Sequence, residues 1–446
     1  MYLIGCSTPP PVTQNTIRVE VPVEVTRIVT QFADLATPAP PCAASHLYDT
    51  PVVTIGAILP LSSPGAILAG FAMQTALNIA VTDINNQGGI LGVPIRLVTY
   101  DSAGTPERAA QFAERLILLD CAVGIVGLYH NSVTMAVTDV AHRYGIPAIV
   151  AGASADEITA RAYPEVFRIA PADSILAQMP ALWLSEMGDH NSDGVSVATI
   201  IADSNNKHSY QLEAIQDNLV QAGIHTELLR VDLPSTNFSS VIARLVAQDH
   251  LPDAIFIYIG GDSALLLQAE LLAAGIGPKS STIVVQHRLA PDNSRFWANL
   301  PGGDGTVIAR TGPWPTILTQ LGQGFAIKYD SYTGRWPEAY AFAAYDSVLL
   351  LAEAIENAPS LAGADLITAL EHTEQELTSG HITFPFTATT LEPASHTTYL
   401  WHQWVESPLL YLQFTYPNQP ATDMAVIWPP HHRTSGGQTA ATPSTP

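Results

Sequence analysis

The sequence predicts an α/β protein of two doubly wound, Rossmann-like lobes joined by a hinge that the chain crosses three times. Short apolar runs alternate with segments of helical periodicity from residue 52 onwards, and the alternation starts again after Pro171. A mostly helical stretch beyond Gly312 then leads into short strands. Strands that alternate with helices form parallel sheets covered on both faces, with right-handed crossovers. Two series of similar size therefore indicate two lobes with a cleft between them.

The first series supplies five strands. Gly88 and Gly89 are expected to end the first helix, because glycine adopts positive φ at helix C-termini. Pro147 is expected at the start of the fourth strand. The predicted strands are 52–59, 95–100, 123–126, 146–150 and 166–170, and the predicted long helices between them include 68–86 and 106–119.

The second series and the return segment complete the two lobes. The predicted strands are 195–202, 226–232, 254–259, 282–285 and 306–310, and the predicted helices are 174–187, 210–222, 239–248 and 265–274. Helices at 317–332, 339–356 and 366–371 precede short strands between 382 and 416. The predicted first lobe is 52–171 plus 313–378, the second is 172–312 plus 379–430, and 431–446 is a disordered tail because it has few apolar residues.

The composition argues against several functional classes. With 47% hydrophobic and 13% charged residues, the 446-residue chain can bury a large core. A formal charge of -22 with only three lysines, Lys207, Lys279 and Lys328, argues against binding to nucleic acid or to anionic membrane surfaces. No apolar run reaches the roughly 18 residues that a membrane span requires.

The N-terminal segment carries a possible anchor. Residues 3–6, Leu-Ile-Gly-Cys, resemble a bacterial lipobox, in which the cysteine becomes lipid-modified. The following stretch is rich in Pro, Thr and Val as far as Pro41, which is typical of an extended stalk. Residues 1–51 are therefore predicted to be a lipobox and stalk, with Cys6 as the lipid attachment point.

Polar residues follow the third and fourth predicted strands. They are Tyr129, His130, Asn131 and Ser132 in the first turn, and Gly152, Ala153 and Ser154 in the second. Open α/β sheets bind ligands at the carboxyl ends of such strands, and the backbone N–H groups of helix starts favour carboxylates. These turns are predicted ligand contacts. The alternative is that their Ser and Asn residues are ordinary helix N-caps.

Patterns for catalysis and metal binding are incomplete. Residues 152–156 contain the first glycine of a G-x-S-x-G nucleophile elbow and lack the second, so the chain is not predicted to be an enzyme. His402, His431 and His432 have no Cys or carboxylate at ligand spacing, so no metal or cofactor is predicted. Trp401 and Trp404 are predicted to lie on one strand and to serve packing or a lobe surface, not to form a sugar platform.

Four segments carry a resemblance to a known family. Residues 55–62, 80–95 with the pattern INxxGGxLGxPI, 166–173 with VFRxxPxD, and 340–348 are similar to segments of type I periplasmic (solute) binding proteins, specifically the branched-chain amino-acid-binding branch of ABC importers. The resemblance covers about residues 52–384. It implies the two-lobed fold, a ligand in the interlobe cleft and no enzymatic activity.

The resemblance also implies which residues bind the ligand. In the family the two first-lobe turns hold the ligand's carboxylate and ammonium, and the second lobe closes over it. The corresponding positions are Ser62, Tyr129, His130, Asn131, Ser132, Gly152, Ala153 and Ser154 in the first lobe and Lys207, His208, Asp262, His287 and Arg288 in the second. At two of these places the chain departs from the family: His130-Asn131 stand where the family often has serine, and His287-Arg288 stand where it often has an acidic residue and glycines. Arg288 would favour an anionic group, and Asp262 would be the nearest partner for an ammonium.

The implied function is that of a monomeric extracytoplasmic lipoprotein. It would capture an amino acid, amide or carboxylate and deliver it to the membrane permease of an ABC importer, with contact to the membrane only through a lipid anchor. The alternative is a ligand-binding sensor of the same fold that signals through a partner.

The remaining cysteines predict a disulfide. Once Cys6 is set aside as the lipid site, Cys42 and Cys121 are left in an oxidising compartment. Each precedes a strand, and the first and third strands of a doubly wound sheet are neighbours, so both lie at the amino-terminal edge. The alternative is that Cys121 is a small buried residue at a strand start.

Overall fold

The first sheet consists of the five strands that the first series predicts. A computed structural model describes residues 51–188, 194–204, 209–235, 237–289, 296–387 and 398–434. The strands are β1 (Val53–Leu59), β2 (Ile95–Asp101), β3 (Ala122–Gly127), β4 (Ala148–Val150) and β5 (Val166–Arg168). They are parallel in the order β2-β1-β3-β4-β5. Every residue of β1 is buried, as expected for a central strand covered on both faces.

Helices cover this sheet and place two turns at its carboxyl edge. They are α1 (Ile67–Asn86), α2 (Pro106–Leu118), α3 (Asn131–Tyr144) and α4 (Glu157–Ala160). Contrary to the expectation from the sequence, α1 is long and apolar enough to cross a membrane by length and composition, but its buried side chains belong to the core of this lobe. Helices α3 and α4 follow β3 and β4, so the turns predicted to bind ligand lie side by side.

The second sheet has seven strands. It contains β6 (Val197–Asp203), β7 (His225–Val231), β8 (Ala254–Gly260), β9 (Ile283–Arg288), β10 (Val307–Thr311), β13 (Leu409–Gln413) and β14 (Ala425–Trp428). Its order is β14-β13-β10-β9-β8-β6-β7, with β13 and β14 antiparallel to their neighbours. Its helices are α5 (Asp173–Gly188), α6 (Ser209–Gln221), α7 (Ser239–Val246), α8 (Gly261–Ala273) and α9 (Phe296–Asn299). The sequence predicts all of these strands except β14, which is only four residues long.

The chain then returns to the first lobe. The returning elements are α10 (Gln320–Thr333), α11 (Ala339–Asn357), α12 (Gly363–Glu371) and the hairpin of β11 (Gln375–Leu377) and β12 (Gly380–Ile382). Helix α11 packs against α1 and β3. The chain therefore passes between the lobes after β5, after β10 and before β13, which confirms the predicted fold class.

The third passage lies further along the chain than the predicted boundary at 378–379. Ile382, Phe384 and Trp404 are buried in the same hydrophobic cluster as α1 and α11, so the described residues 380–387 and 398–404 pack on the first lobe. The backbone N–H of Arg168 donates to His402 O at 2.9 Å, which places this segment beside β5. The passage therefore runs between Trp404 and β13.

Two further predictions about the C-terminal region are corrected. The backbone N–H of Val426 donates to Thr434 Oγ1 at 3.0 Å, and Arg433 Nε donates to Ile427 O at 3.2 Å, so Arg433 and Thr434 are hydrogen-bonded to β14. Residues 435–446 lie outside the described residues. Trp401 and Trp404 do not share a strand, and their Nε1–H groups donate to Tyr163 O and His381 O, respectively.

The described residues include only one of the three cysteines. Cys121 is disulfide-bonded. The other two cysteines, Cys6 and Cys42, lie outside the described residues, and so does the predicted stalk. The pairing of Cys121 with Cys42 and the lipid attachment at Cys6 stay predictions.

Candidate functional site

A cavity of about 730 Å³ lies between the two lobes at the carboxyl edges of both sheets. Sites for small molecules span about 300 to 1,000 Å³. Its lining includes these residues predicted from the sequence: Tyr129, His130, Asn131, Ser132, Gly152, Ser154, His287 and Arg288. Sequence reasoning missed Asp173, Leu176, Met179, Gln211, Tyr258, Ala309, Arg310, Thr311 and Tyr340, which also line it.

Other predicted site residues are placed elsewhere. Ser62 Oγ donates to Asp101 Oδ2 at 2.5 Å and does not line the cavity. Ala153 is only 1% exposed and packs in the core between the first sheet and α3. Asp262 lies in the first turn of α8, away from the cavity lining. Lys207 and His208 lie outside the described residues.

The second turn cannot bind an anion through its backbone, because its N–H groups are already bonded. The N–H groups of Gly152 and Ala153 both donate to Leu128 O at 3.2 Å. Those of Ser154 and Ala155 donate to the side-chain Oδ1 of Asn131, at 2.9 and 3.2 Å. The sequence predicts a ligand anion as the acceptor at this turn, but in the structure the acceptor is the side-chain amide oxygen of Asn131.

Glycine at position 152 is required by the close approach of the two turns. A Cβ atom there would lie 3.0 Å from Tyr129 Cδ2 and 3.3 Å from Tyr129 Cα. Any side chain at this position would therefore push the first turn away from the second. Tyr129 in turn packs edge-on against Tyr340, with ring centroids 5.4 Å apart.

The first turn remains open. His130 is the N-cap of α3, and its side chain makes no capping hydrogen bond. In the described part of the chain, its Nδ1 is enclosed and has no hydrogen-bond partner. Burial lowers the pKa of His130, so the neutral imidazole is favoured. His130, Asn131 and Ser132 therefore offer polar but uncharged groups to a ligand.

The opposite wall carries positive charge. His287 stacks on Tyr258 with ring centroids 4.1 Å apart. Burial, together with Arg288, lowers the pKa of His287 to about 3, so His287 is neutral near pH 7. Arg288 ends β9, and among the described residues no carboxylate lies within ion-pair distance of it. Arg288 is therefore available to an anionic ligand.

The acidic residue of the cavity lies at the first hinge passage. Asp173 begins α5 and is 4% exposed. Its Oδ1 accepts a long hydrogen bond, 3.4 Å, from Gln211 Nε2. Asp173, in place of Asp262, is the carboxylate that the structure puts on the cavity wall. Within the described residues, no group of three or more His, Cys, Asp or Glu could hold a metal ion.

The match to a family model agrees with this architecture. The model of the periplasmic binding protein family matches residues 52–400. This chain belongs to the periplasmic binding protein family. The match supports the resemblance to type I proteins of the branched-chain amino-acid branch, and members of this family bind solutes and are not enzymes. Family membership implies an extracytoplasmic location.

Curated relatives of this periplasmic binding protein carry related names. A Leu/Ile/Val-binding protein homolog 7 from Brucella suis is 33% identical over 157 residues, which is 34% of this chain and 39% of the relative. The chain thus spans about two fifths of that relative's length. The Leu/Ile/Val-binding protein BraC3 from Rhizobium johnstonii is 27% identical over 361 residues, covering 78% of this chain and 91% of the relative.

Solved structures share the fold. LivJ from Streptococcus pneumoniae, a branched-chain amino acid transporter substrate-binding protein in complex with isoleucine, superposes with a TM-score of 0.64 at 18% identity, covering 85% of this chain and 100% of LivJ. A solute binding protein of an ABC transporter from R. palustris in complex with benzoate has a TM-score of 0.61 at 18% identity, covering 84% and 95%. At such identities the likeness shows the fold.

Proposed function

We propose that this periplasmic binding protein captures a small amino-acid-like or carboxylate ligand in the interlobe cavity and delivers it to the permease of an ABC importer. The observation that carries the proposal is Arg288, a cation on the cavity wall without a carboxylate partner among the described residues. A carboxylate fits the planar fork of a guanidinium, which binds it through two parallel hydrogen bonds.

The similar proteins support this ligand class without naming the ligand. One is named a Leu/Ile/Val-binding protein, one was solved in complex with isoleucine, and one was solved in complex with benzoate. Every one of these ligands contains a carboxylate. We also propose that the protein is a monomer and that a lipid on Cys6 anchors it to the membrane that contains the permease.

A thermal-shift screen against amino acids, amides, short peptides and carboxylates tests the proposal. A ligand at ~100 times its dissociation constant stabilises the folded protein by about 2.7 kcal/mol. Arg288→Gln should then weaken binding of the hit by about ten- to a hundredfold, since a charged hydrogen bond contributes roughly 1.5–3 kcal/mol. Arg230→Gln is the matched control, because Arg230 is an exposed arginine on β7 of the same lobe, outside the cavity lining.

Two results would contradict the proposal. The first is a screen in which no compound raises the melting temperature. The second is an equal loss of affinity in the Arg288→Gln and Arg230→Gln variants, which would mean that the ligand responds to overall charge alone.

A further inference from the structure

The positive charge of Arg288 acts on both walls of the interlobe cavity. Burial raises the pKa of Tyr129 on the first-lobe wall and that of Tyr258 on the second-lobe wall, and Arg288 partly offsets both rises. Both tyrosines and Arg288 line the cavity. Charges of one sign repel each other and opposite charges attract. The field of Arg288 therefore favours an anion in the cavity and disfavours a cation.

The cavity wall offers one carboxylate among the described residues, and it already serves other groups. Asp173 is 4% exposed, and its Oδ1 accepts from Gln211 Nε2. Its charge also supports a buried guanidinium, because burial lowers the pKa of Arg168 to about 10 and the charges of Asp156, Asp173 and Glu157 oppose this shift. Asp173 therefore compensates a cation inside the protein.

The neighbouring acids do not take its place. Glu338, at the start of α11, lines a separate pocket, and Asp262 lies in the first turn of α8 away from the cavity lining. A buried cation is costly unless nearby charges and hydrogen bonds compensate it. Asp173 therefore cannot fully serve both Arg168 and a positively charged group of a ligand.

An α-amino acid would place an ammonium close to Arg288. Its ammonium is attached to the carbon beside the carboxylate, so when a guanidinium binds the carboxylate the two cations lie roughly 6 Å apart and repel each other. An ammonium that leaves water also loses solvation and needs a compensating charge. The side chains of the first-lobe turns that line the cavity, Asn131, Ser132 and Ser154 among them, offer only uncharged groups.

Other parts of the cavity wall are apolar. Leu176 and Met179 on α5 and Ala309 on β10 line it, together with the ring of Tyr340. Such surfaces favour the apolar body of a ligand, since contact with them removes apolar area from water.

We infer that the ligand is a carboxylate with an apolar body and without a charged amino group beside the carboxylate. This inference rests on the proposed function and narrows its ligand class to carboxylates of this kind. It distinguishes this protein from the relatives that are named for binding leucine, isoleucine and valine. The distinction lies in the head group of the ligand and not in its side chain.

Matched pairs of probes that differ only in the amino group test the inference by isothermal titration calorimetry. The pairs are 4-methylpentanoate with leucine and 3-phenylpropanoate with phenylalanine. We expect the compound without the amino group to bind at least about tenfold more tightly in each pair. The size control is 2-hydroxy-4-methylpentanoate, in which a neutral hydroxyl replaces the ammonium. It should bind within about threefold of 4-methylpentanoate, because it adds a group without adding charge.

Two substitutions at one position then test whether charge is the cause. Ser132 is exposed in the first turn of α3 and lines the cavity. Ser132→Asp supplies a carboxylate for an ammonium at a place where a negative charge also stabilises the helix. It should remove most of the tenfold preference for 4-methylpentanoate over leucine. Ser132→Asn has nearly the same shape without the charge, so it should change both affinities by a similar factor.

Three outcomes would overturn the inference. The first is an amino acid that binds as tightly as its partner without the amino group, which leaves the proposed function standing. The second is an equal effect of Ser132→Asp and Ser132→Asn on the preference, or a hydroxy acid that binds as weakly as leucine. The third is the absence of binding by every probe while the broader screen yields another ligand, because the two probes without an amino group carry every group that the inference requires. A broader screen without any ligand would reject the proposed function as well.

Discussion

The structure gives Asn131 a role that two substitutions can separate from ligand binding. Its Oδ1 accepts hydrogen bonds from the backbone N–H groups of Ser154 and Ala155, and its side chain lines the cavity. Asn131→Ala removes this acceptor and leaves two N–H groups unpaired. Each unpaired group costs about 1–3 kcal/mol when buried. Because this site is only partly buried and water can enter, we expect a total destabilisation of about 1–3 kcal/mol.

Asn131→Asp should have the opposite profile. The carboxylate has the same shape and accepts both hydrogen bonds, and a negative charge in the first turn of α3 stabilises the helix by about 0.3–1 kcal/mol. The same charge faces the cavity. Repulsion from a ligand carboxylate at ~6 Å, in an effective dielectric constant of about 20, is about 3 kcal/mol, or roughly a hundredfold in affinity.

Chemical denaturation and calorimetry with an anionic ligand measure the two effects. Asn418→Asp is the matched control, because Asn418 is exposed in the loop after β13 and adds the same charge outside the cavity. The reasoning fails if Asn131→Asp is as unstable as Asn131→Ala, since Oδ1 would then not be the acceptor. It also fails if Asn131→Asp and Asn418→Asp bind the anion equally well.

Three further predictions concern buried groups and cysteines. Burial raises the pKa of Asp346 to about 7 despite its hydrogen bonds from Thr378. The folded protein therefore keeps a proton that the unfolded chain loses near pH 4, so stability should fall by up to about 1.4 kcal/mol per pH unit between these values, and urea unfolding of Asp346→Asn should lack this slope. Cys42→Ser should expose one reactive thiol, that of Cys121, in the unfolded, unreduced protein and cost about 4 kcal/mol; a Cys121 that stays blocked would exclude the predicted pairing. Cys6→Ser should leave Cys121 blocked and release the protein from the membrane fraction, and retention there would refute the lipid anchor.

Periodicity predicts most of the fold because the strands are buried on both faces. The short apolar runs around Ile55 and Ile257, each bounded by polar or turn residues, are typical of strands inside a covered sheet, and both residues are fully buried. The third passage could not be located in the same way. Residues such as Ile382 and Phe384 fit either lobe by pattern, and only their packing against α11 decides between the two.

The sequence predicts the part of the candidate site that is formed by polar turns at the ends of strands. Polar residues after β3 and β4 mark the first-lobe wall because strands of a parallel sheet end at one edge. On the second lobe, Tyr258 and Arg310 lie within strands, where sequence does not show which face meets the cleft. The use of Asn131 as an internal acceptor also has no sequence signal, since asparagine beside a helix start is equally compatible with a cap or a ligand contact.

The carbonyl groups of the second turn are hydrogen-bonded, as its N–H groups are. The N–H groups donate to Asn131, and the carbonyl groups accept from Arg168. Arg168 is fully buried, and its Nη1 donates to Ser154 O at 3.1 Å and to Ala155 O at 2.6 Å. Its Nε donates to Gln403 Oε1 at 2.5 Å, and Gln403 Nε2 donates to Ala170 O at 3.0 Å.

These bonds join the turn to Ala170, just before the first passage between the lobes, and to Gln403, just before the third. Because the N–H groups of residues 152–155 are all hydrogen-bonded, the backbone of this turn offers no donor to an anionic ligand. Under the proposed function, the cation for a ligand carboxylate is Arg288 of the other lobe. A ligand shifts a conformational equilibrium by its differential affinity for the two states, so a carboxylate that bonds to Arg288 in only one arrangement of the lobes would favour that arrangement.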